Sequence, residues 1–152
     1  MRTFQPNITI EDYNESPIAA VEITSMPNVE SDEAIKIRSN MLERGLPAHI
    51  PYLLLLSQDI GFLWKDDPSL KADSPPNYEL PMDTVMARYS KKPLEQRLYT
   101  GELEYLFLRW LMDLRAQPQE MMEAPDKKLT DVGFTDAIHR AMILLTGDCD
   151  TL

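Results

Sequence analysis

The segments Ile8-Thr-Ile10 and Ile18-Ala-Ala-Val-Glu-Ile-Thr24 are separated by a run of turn-forming residues from Glu11 to Pro17. Both segments are rich in β-branched residues, which favour strands, and a short connection with turn formers favours antiparallel neighbours. The sequence therefore predicts a β-hairpin. Because side chains alternate along a strand, Glu22 and Thr24 should lie on the same face of its second strand.

A helix is predicted from Asp32 to Arg44, directly after this hairpin. Ser31 is a suitable N-cap, Asp32 adds favourable negative charge in the first turn, and Gly45 is well placed to end the helix. The apolar residues recur at helical spacing, which gives the helix one buried face and one exposed face. They are Ala34, Ile37, Met41 and Leu42.

Two further strands are predicted after this helix. The continuous apolar run Tyr52 to Ser57 is typical of a central strand whose two faces are both covered. Residues 58–61 resemble a tight turn, and Phe62 to Lys65 would be the returning strand. The resulting order is β-β-α-β-β, which indicates an α/β or α+β fold with a mixed central sheet.

The rest of the chain is predicted to be mainly helical, within a single domain. Residues 66–81 are rich in proline and show no periodicity, so we expect a surface loop that separates a sheet core (1–65) from a helical part (82–152). A helix should begin near Thr100, and Phe134 to Leu145 suits a last helix or a helix followed by a short strand. The apolar stripe of the helix at Thr100 comprises Leu103, Leu106, Phe107, Trp110, Leu111 and Leu114.

The composition points to an acidic globular protein. The 152 residues carry a formal net charge of −10, and the pI is near 4.6. Such a charge disfavours tight, non-specific DNA binding, because phosphate contacts normally need several Lys or Arg. The single cysteine, Cys149, allows no intrachain disulfide, and no apolar run approaches the length of a spanning helix, so we expect a cytoplasmic protein with no membrane contact.

The spacing between Gln5-Pro6-Asn7 and Val21-Glu22-Ile23-Thr24 resembles the motif of the PD-(D/E)XK nuclease superfamily. In that superfamily a Pro-acid element precedes an acid-x-Lys on the next strand. The likeness continues through the helix at residues 32–44 and the strands at 52–65. The chain is also similar to a group of bacterial proteins of unassigned function in which Val-Glu-Val-Lys precedes a helix of the type Arg-x-Asn-Met-Leu-Glu-Arg-Gly.

This resemblance implies a restriction-endonuclease-like core whose active site has been degraded. Phosphodiester hydrolysis needs a divalent ion held by carboxylates and a nearby cation that steadies the developing charge. Glu22 corresponds to the second metal carboxylate. Asn7 replaces the first carboxylate with a neutral amide, and Thr24 replaces the lysine, so two of the three roles are unfilled.

Four residues are considered as substitutes for the two missing groups. Lys36 or Arg38, on the helix after the hairpin, would act as a migrated lysine if either pointed back to Glu22. Asp12 or Glu11 would replace Asn7 as a metal ligand, although carboxylates in a turn are more often simply solvated.

The sequence therefore predicts a non-catalytic nuclease-fold protein that acts as an interaction or regulatory module. The alternative is a metal-dependent DNA endonuclease with a displaced site, which would need Mg²⁺; otherwise no cofactor is expected. A protein partner or self-association, including a homodimer, is favoured over nucleic acid. No zinc, serine-hydrolase or nucleotide-loop motif is found. The basic residues Arg88, Lys91, Lys92 and Arg97 are interpreted as a solvated helix margin.

Overall fold

The computed structural model describes residues 4–93, 96–116 and 124–145, which form a six-stranded mixed sheet with helices on both faces. Its strands are β1 (Ile8–Glu11), β2 (Pro17–Ile23), β3 (Tyr52–Leu56), β4 (Ile60–Lys65), β5 (Tyr78–Pro81) and β6 (Met142–Leu145). Its helices are α1 (Ser31–Glu43), α2 (Asp83–Tyr89), α3 (Thr100–Ala116), α4 (Asp126–Asp131) and α5 (Phe134–Ile138).

The strands lie in the order β5-β4-β3-β2-β1-β6. β2 and β3 are parallel and are joined through α1, whereas every other neighbouring pair is antiparallel. The predicted hairpin and the β-β-α-β-β order up to Lys65 are therefore confirmed. The protein is α+β with a mixed sheet, and the finer restriction-endonuclease-like assignment stays a prediction.

The sheet has a hydrophobic core on each face, and β3 contributes to both. Tyr52, Leu54 and Leu56 pack with the C-terminal helices, while Leu53 and Leu55 pack on the side of α1. This explains why β3 is apolar at every position, since a strand covered on both faces has no polar side.

α1 begins one residue earlier than predicted. Its N-cap is Glu30 rather than Ser31, and the backbone N–H of Glu30 donates to Oε1 of Glu33 at 3.2 Å. This contact satisfies a backbone donor at the helix start, as in a capping box. The predicted end is confirmed, because Gly45 adopts the positive φ of 112° that glycine tolerates best.

The proline-rich segment after β4 contains a strand that the sequence did not predict. β5 has only four residues, ends at Pro81 and pairs antiparallel with β4. Its place at the edge of the sheet explains why proline is tolerated. A strand this short depends on its neighbour, so its own residues give little signal.

The C-terminal part covers the sheet. The predicted apolar stripe of α3 is buried, and the second alternative for residues 134–145 is confirmed, because α5 is followed by β6. β6 pairs with β1, and α2 to α5 pack on the face opposite α1. Cys149 lies outside the described residues.

Candidate functional site

Glu22 lies near the end of β2, on the face of the sheet that α1 covers. Its neighbour two residues earlier, Ala20, belongs to the core beneath α1, and alternation places Glu22 and Thr24 on the same side. Glu22 is half-buried and pairs in register with Leu55 of β3. The position that the resemblance assigns to a metal carboxylate is therefore partly removed from water.

Asn7 uses both ends of its side-chain amide to hold this part of the fold together. Its Oδ1 accepts a hydrogen bond from the backbone N–H of Ile23 at 2.8 Å. Its Nδ2 donates to Oε2 of Glu104 in α3 at 3.2 Å. Asn7 thus joins the start of β1 to the end of β2 and to the helix on the opposite face.

Arg44, which follows α1, brings positive charge to the same place. Its guanidinium lies over the ring of Phe4, 5.1 Å from the centroid, and its carbonyl accepts from the backbone N–H of Phe4 at 3.0 Å. These contacts fix the segment that leads into Asn7. We call Asn7, Glu22, Arg44 and Glu104 together the Glu22 corner.

The pKa of Glu22 is raised from 4.5 to about 7. Burial is the largest cause, because it penalises the charged carboxylate. A hydrogen bond from the backbone of Asn7 and the charge of Arg44 lower the pKa, whereas the negative charge of Glu104 raises it. Glu22 therefore exchanges its proton near neutral pH, and Glu104 is close enough to affect it.

Thr24, at the position that the resemblance assigns to a lysine, makes local hydrogen bonds. Its backbone N–H donates to the carbonyl of Leu56 at 2.9 Å, which prolongs the pairing of β2 with β3. Its hydroxyl accepts from the backbone N–H of Met26 at 3.1 Å. Thr24 brings no charge to the Glu22 corner.

The structure does not bring Lys36 or Asp12 to Glu22. Lys36 is exposed on α1, and the basic side chain that acts on Glu22 is Arg44. Oδ1 of Asp12 accepts from the backbone N–H groups of Asn14 and Ser16, at 2.8 and 2.9 Å, in the hairpin turn. The turn and Glu22 lie at opposite ends of the hairpin, roughly 15 Å apart at about 3.3 Å per residue.

Neither of the other two substitutes reaches the Glu22 corner. Arg38 is buried beneath α1, where Nη1 donates to the carbonyl of Lys71 at 2.7 Å and the guanidinium lies over the Trp64 ring. Burial lowers the pKa of this guanidinium. Glu11 ends β1 on the side of the hairpin turn, paired with Pro17 and Met142.

Sequence reasoning missed Arg44 and Glu104. Glu104 meets Asn7 across a separation of 97 residues, and the sequence of α3 marks it only as an acid near a helix start. Arg44 is the residue just past α1, where a basic residue is expected for its effect on the helix dipole. Only the packing of α1 and α3 at the same end of the sheet identifies them.

The residues at the motif positions do not fit a Mg²⁺ site of the kind that the nuclease superfamily has. Mg²⁺ prefers charged oxygen ligands in near-octahedral geometry. The amide oxygen of Asn7 already accepts from Ile23, and the hydroxyl of Thr24 is neutral. Glu104 is the further carboxylate that the fold brings to Glu22, and among the described residues no group of three or more His, Cys, Asp or Glu is arranged to hold a metal ion.

Comparison with known proteins finds no matching family model, no matching curated protein and no matching solved structure. In the described part of the chain, no helix combines the length and the apolar character needed to cross a membrane.

Proposed function

We propose that this chain is a non-catalytic protein of nuclease-like fold that acts as an interaction or regulatory module. The observation that carries the proposal is the engagement of Asn7. Its oxygen and nitrogen both make structural hydrogen bonds, one to β2 and one to α3. In the Glu22 corner this position supports the fold, where the superfamily uses it for a metal ion.

The charges of the Glu22 corner support the same conclusion. Glu22 lies near a second carboxylate, Glu104, and near one cation, Arg44, and burial raises its pKa, so the ionised form is disfavoured there. A metal ligand needs the ionised carboxylate at neutral pH. The corner is thus better suited to holding the two faces of the sheet together than to polarising a phosphate.

The test is a cleavage assay on supercoiled and single-stranded DNA with Mg²⁺ or Mn²⁺. We expect no cleavage by the wild-type chain. The control is Glu22→Gln, which keeps the shape of the side chain and removes its charge. Cleavage by the wild type that disappears in Glu22→Gln would overturn the proposal, whereas equal background in both proteins supports it.

The position of β6 at one edge of the sheet supports self-association as the interaction. Among the described residues β6 is an outer strand of the sheet, so its outer edge offers backbone groups to another strand, and its Leu144 is 41% exposed. We expect light scattering at micromolar concentration to give a dimer that Leu144→Lys dissociates. A monomeric wild type would leave a different protein as the partner and would exclude pairing through β6.

A displaced metal-dependent nuclease is the second candidate, and the proximity of Glu104 to Glu22 favours it. Two carboxylates that lie close together attract a divalent ion. This candidate predicts that Mg²⁺ or Mn²⁺ raises the melting temperature of the wild type and not that of Glu104→Gln. An unchanged melting temperature in both proteins would exclude it.

A further inference from the structure

A cleft of about 250 Å³ lies between the end of α2 and the outer face of α3. This volume is just below the roughly 300–1,000 Å³ of pockets for drug-sized ligands, so it suits a small molecule. We call it the α2–α3 cleft. Its lining residues are Tyr89, Ser90, Lys91, Lys92, Leu98, Glu102, Tyr105, Leu106 and Arg109.

The lining of the α2–α3 cleft is basic although the whole chain has a net charge of −10. Three cations, Lys91, Lys92 and Arg109, face one acid, Glu102. Lys92 forms an ion pair with Glu102. Within the described residues neither Lys91 nor Arg109 forms an ion pair with a carboxylate, so both are available to an anion from solution.

Arg109 is held in place before any ligand arrives. Its guanidinium lies over the ring of Tyr89, 5.4 Å from the centroid, and the hydroxyl of Tyr89 donates to Asp113. Stacking on an aromatic ring limits the freedom of the side chain and leaves its N–H groups free to bind an anion. A preorganised guanidinium loses less entropy when it binds.

An aromatic ring lies one helical turn from this guanidinium. Tyr105 and Arg109 are four residues apart on α3, which places them on the same side of the helix. Tyr105 is 70% exposed, so its face is open to a planar group. Leu98 and Leu106 add an apolar floor beneath it.

We propose that the α2–α3 cleft binds a small ligand in which a phosphate group is attached to, or lies close to, a planar ring. Arg109 and Lys91 bind the phosphate, whose two negative charges match the two cations. Tyr105 stacks on the ring, and the leucines contact its edge. The cleft lies outside the Glu22 corner, so this inference does not depend on the absence of catalysis there.

The experiment is an NMR titration of the ¹⁵N-labelled chain with phenyl phosphate, inorganic phosphate and phenol. We expect phenyl phosphate to shift the signals of residues 89–92, 98 and 102–109 and to bind at least tenfold more tightly than either fragment. Equal affinities for phenyl phosphate and inorganic phosphate would overturn the proposal, because the ring would then contribute nothing. Shifts confined to other parts of the protein would overturn it as well.

Matched variants distinguish binding in the α2–α3 cleft from a general attraction of the ligand to surface charge. Arg109→Ala should weaken phenyl phosphate binding about tenfold, in line with the loss of one charge-assisted contact. Arg140→Ala, which removes an exposed arginine outside the cleft, should leave this binding unchanged. Tyr105→Ala should weaken the binding of phenyl phosphate without affecting the binding of inorganic phosphate. Tyr13→Ala, in the hairpin turn, is its control. Equal losses in a variant and its control would contradict the proposal.

Two biological sources share this ligand chemistry, a free nucleotide and a phosphorylated aromatic side chain. Uridine monophosphate and phosphotyrosine are the probes that distinguish them. Binding of either one that Arg109→Ala weakens supports the cleft, and the tighter ligand identifies the source. Failure of both to compete with phenyl phosphate would contradict the proposal.

Discussion

Two carboxylates in this protein, one buried and one half-buried, have very different surroundings. Asp126, at the start of α4, is 1% exposed and forms a two-pronged ion pair with Arg88, with both N–O distances at 2.9 Å. It also accepts from Nε1 of Trp110 at 3.0 Å. Glu22 is half-buried, near another acid, and its pKa is raised to about 7.

The difference separates a carboxylate whose charge is fully satisfied from one whose charge is only partly compensated. A buried charge is tolerated when donors satisfy it, and Asp126 has three such donors. Glu22 is opposed by Glu104 and only partly compensated by Arg44. We infer that the charge of Asp126 stabilises the fold, whereas that of Glu22 destabilises it.

The largest effect is expected for Asp126→Ala. Removing this carboxylate leaves Arg88 without its ion pair and the indole N–H of Trp110 without its acceptor. The free energy of unfolding should fall by about 3 kcal/mol. Urea denaturation measures it, and Asp131→Ala, which removes an exposed i,i+4 pair with Lys127, should cost less than about 0.5 kcal/mol. Equal losses of stability in the two variants would contradict the inference that the buried carboxylate of Asp126 stabilises the fold.

Glu22→Gln should raise the free energy of unfolding, whereas Asp126→Ala lowers it, and the size of the increase should depend on pH. Between pH 4.5 and about 7 the native state binds more protons than the unfolded chain, because the pKa of Glu22 is raised, so stability falls as the pH rises through this window. The neutral glutamine avoids that loss. At about pH 8 the variant should be more stable than the wild type by about 2 kcal/mol, allowing for partial solvent exposure, and at about pH 4.5 the two should be nearly equal.

Urea denaturation of both proteins at the two pH values provides the check. Glu43→Gln, at the exposed end of α1, controls for a general reduction of negative charge. A Glu22→Gln variant that is less stable than the wild type at high pH would show that the ionised carboxylate contributes favourably to the fold.

Asn7→Asp introduces the carboxylate that the nuclease superfamily carries in its motif, and it should destabilise the protein. The new side chain can still accept from Ile23, but its donor to Glu104 is replaced by a repulsive oxygen. We expect a loss of about 1–2 kcal/mol at neutral pH. Asn14→Asp, at an exposed position of the hairpin turn, should change stability by less than about 0.5 kcal/mol.

The smallest effect is expected for Thr24→Ala. It removes the acceptor for the backbone N–H of Met26 at an exposed site, so the loss should be about 0.5 kcal/mol. Thr24→Ser retains the hydroxyl and should be closer to the wild type in denaturant titrations. A much larger loss in Thr24→Ala alone would show that this hydroxyl has a further role in the Glu22 corner.

The sequence predicted the elements whose residues carry their own signal. The hairpin, α1, β3 and α3 follow from β-branched runs, capping residues and apolar periodicity. β5 was missed because four residues ending in proline depend on β4 for their pairing.

The site was predicted only in part, for a similar reason. The spacing of Asn7, Glu22 and Thr24 drew attention to the end of β2, and the role of these residues as a functional site stays a prediction. The approach of Arg44 and Glu104 depends on how α1 and α3 pack against opposite faces of the sheet, which local pattern cannot specify. Lys36 and Asp12 were considered because they are near in sequence, and the fold separates them from Glu22 in space.

The most direct test of the Glu22 corner is the pKa of Glu22, measured by carboxyl ¹³C NMR with and without millimolar Mg²⁺. A non-catalytic corner predicts a value of about 7 in both conditions. A metal ion bound to the carboxylate would favour its ionised form and lower the pKa. A fall of about one unit or more on addition of Mg²⁺ would contradict the central claim that this corner supports the fold rather than a metal.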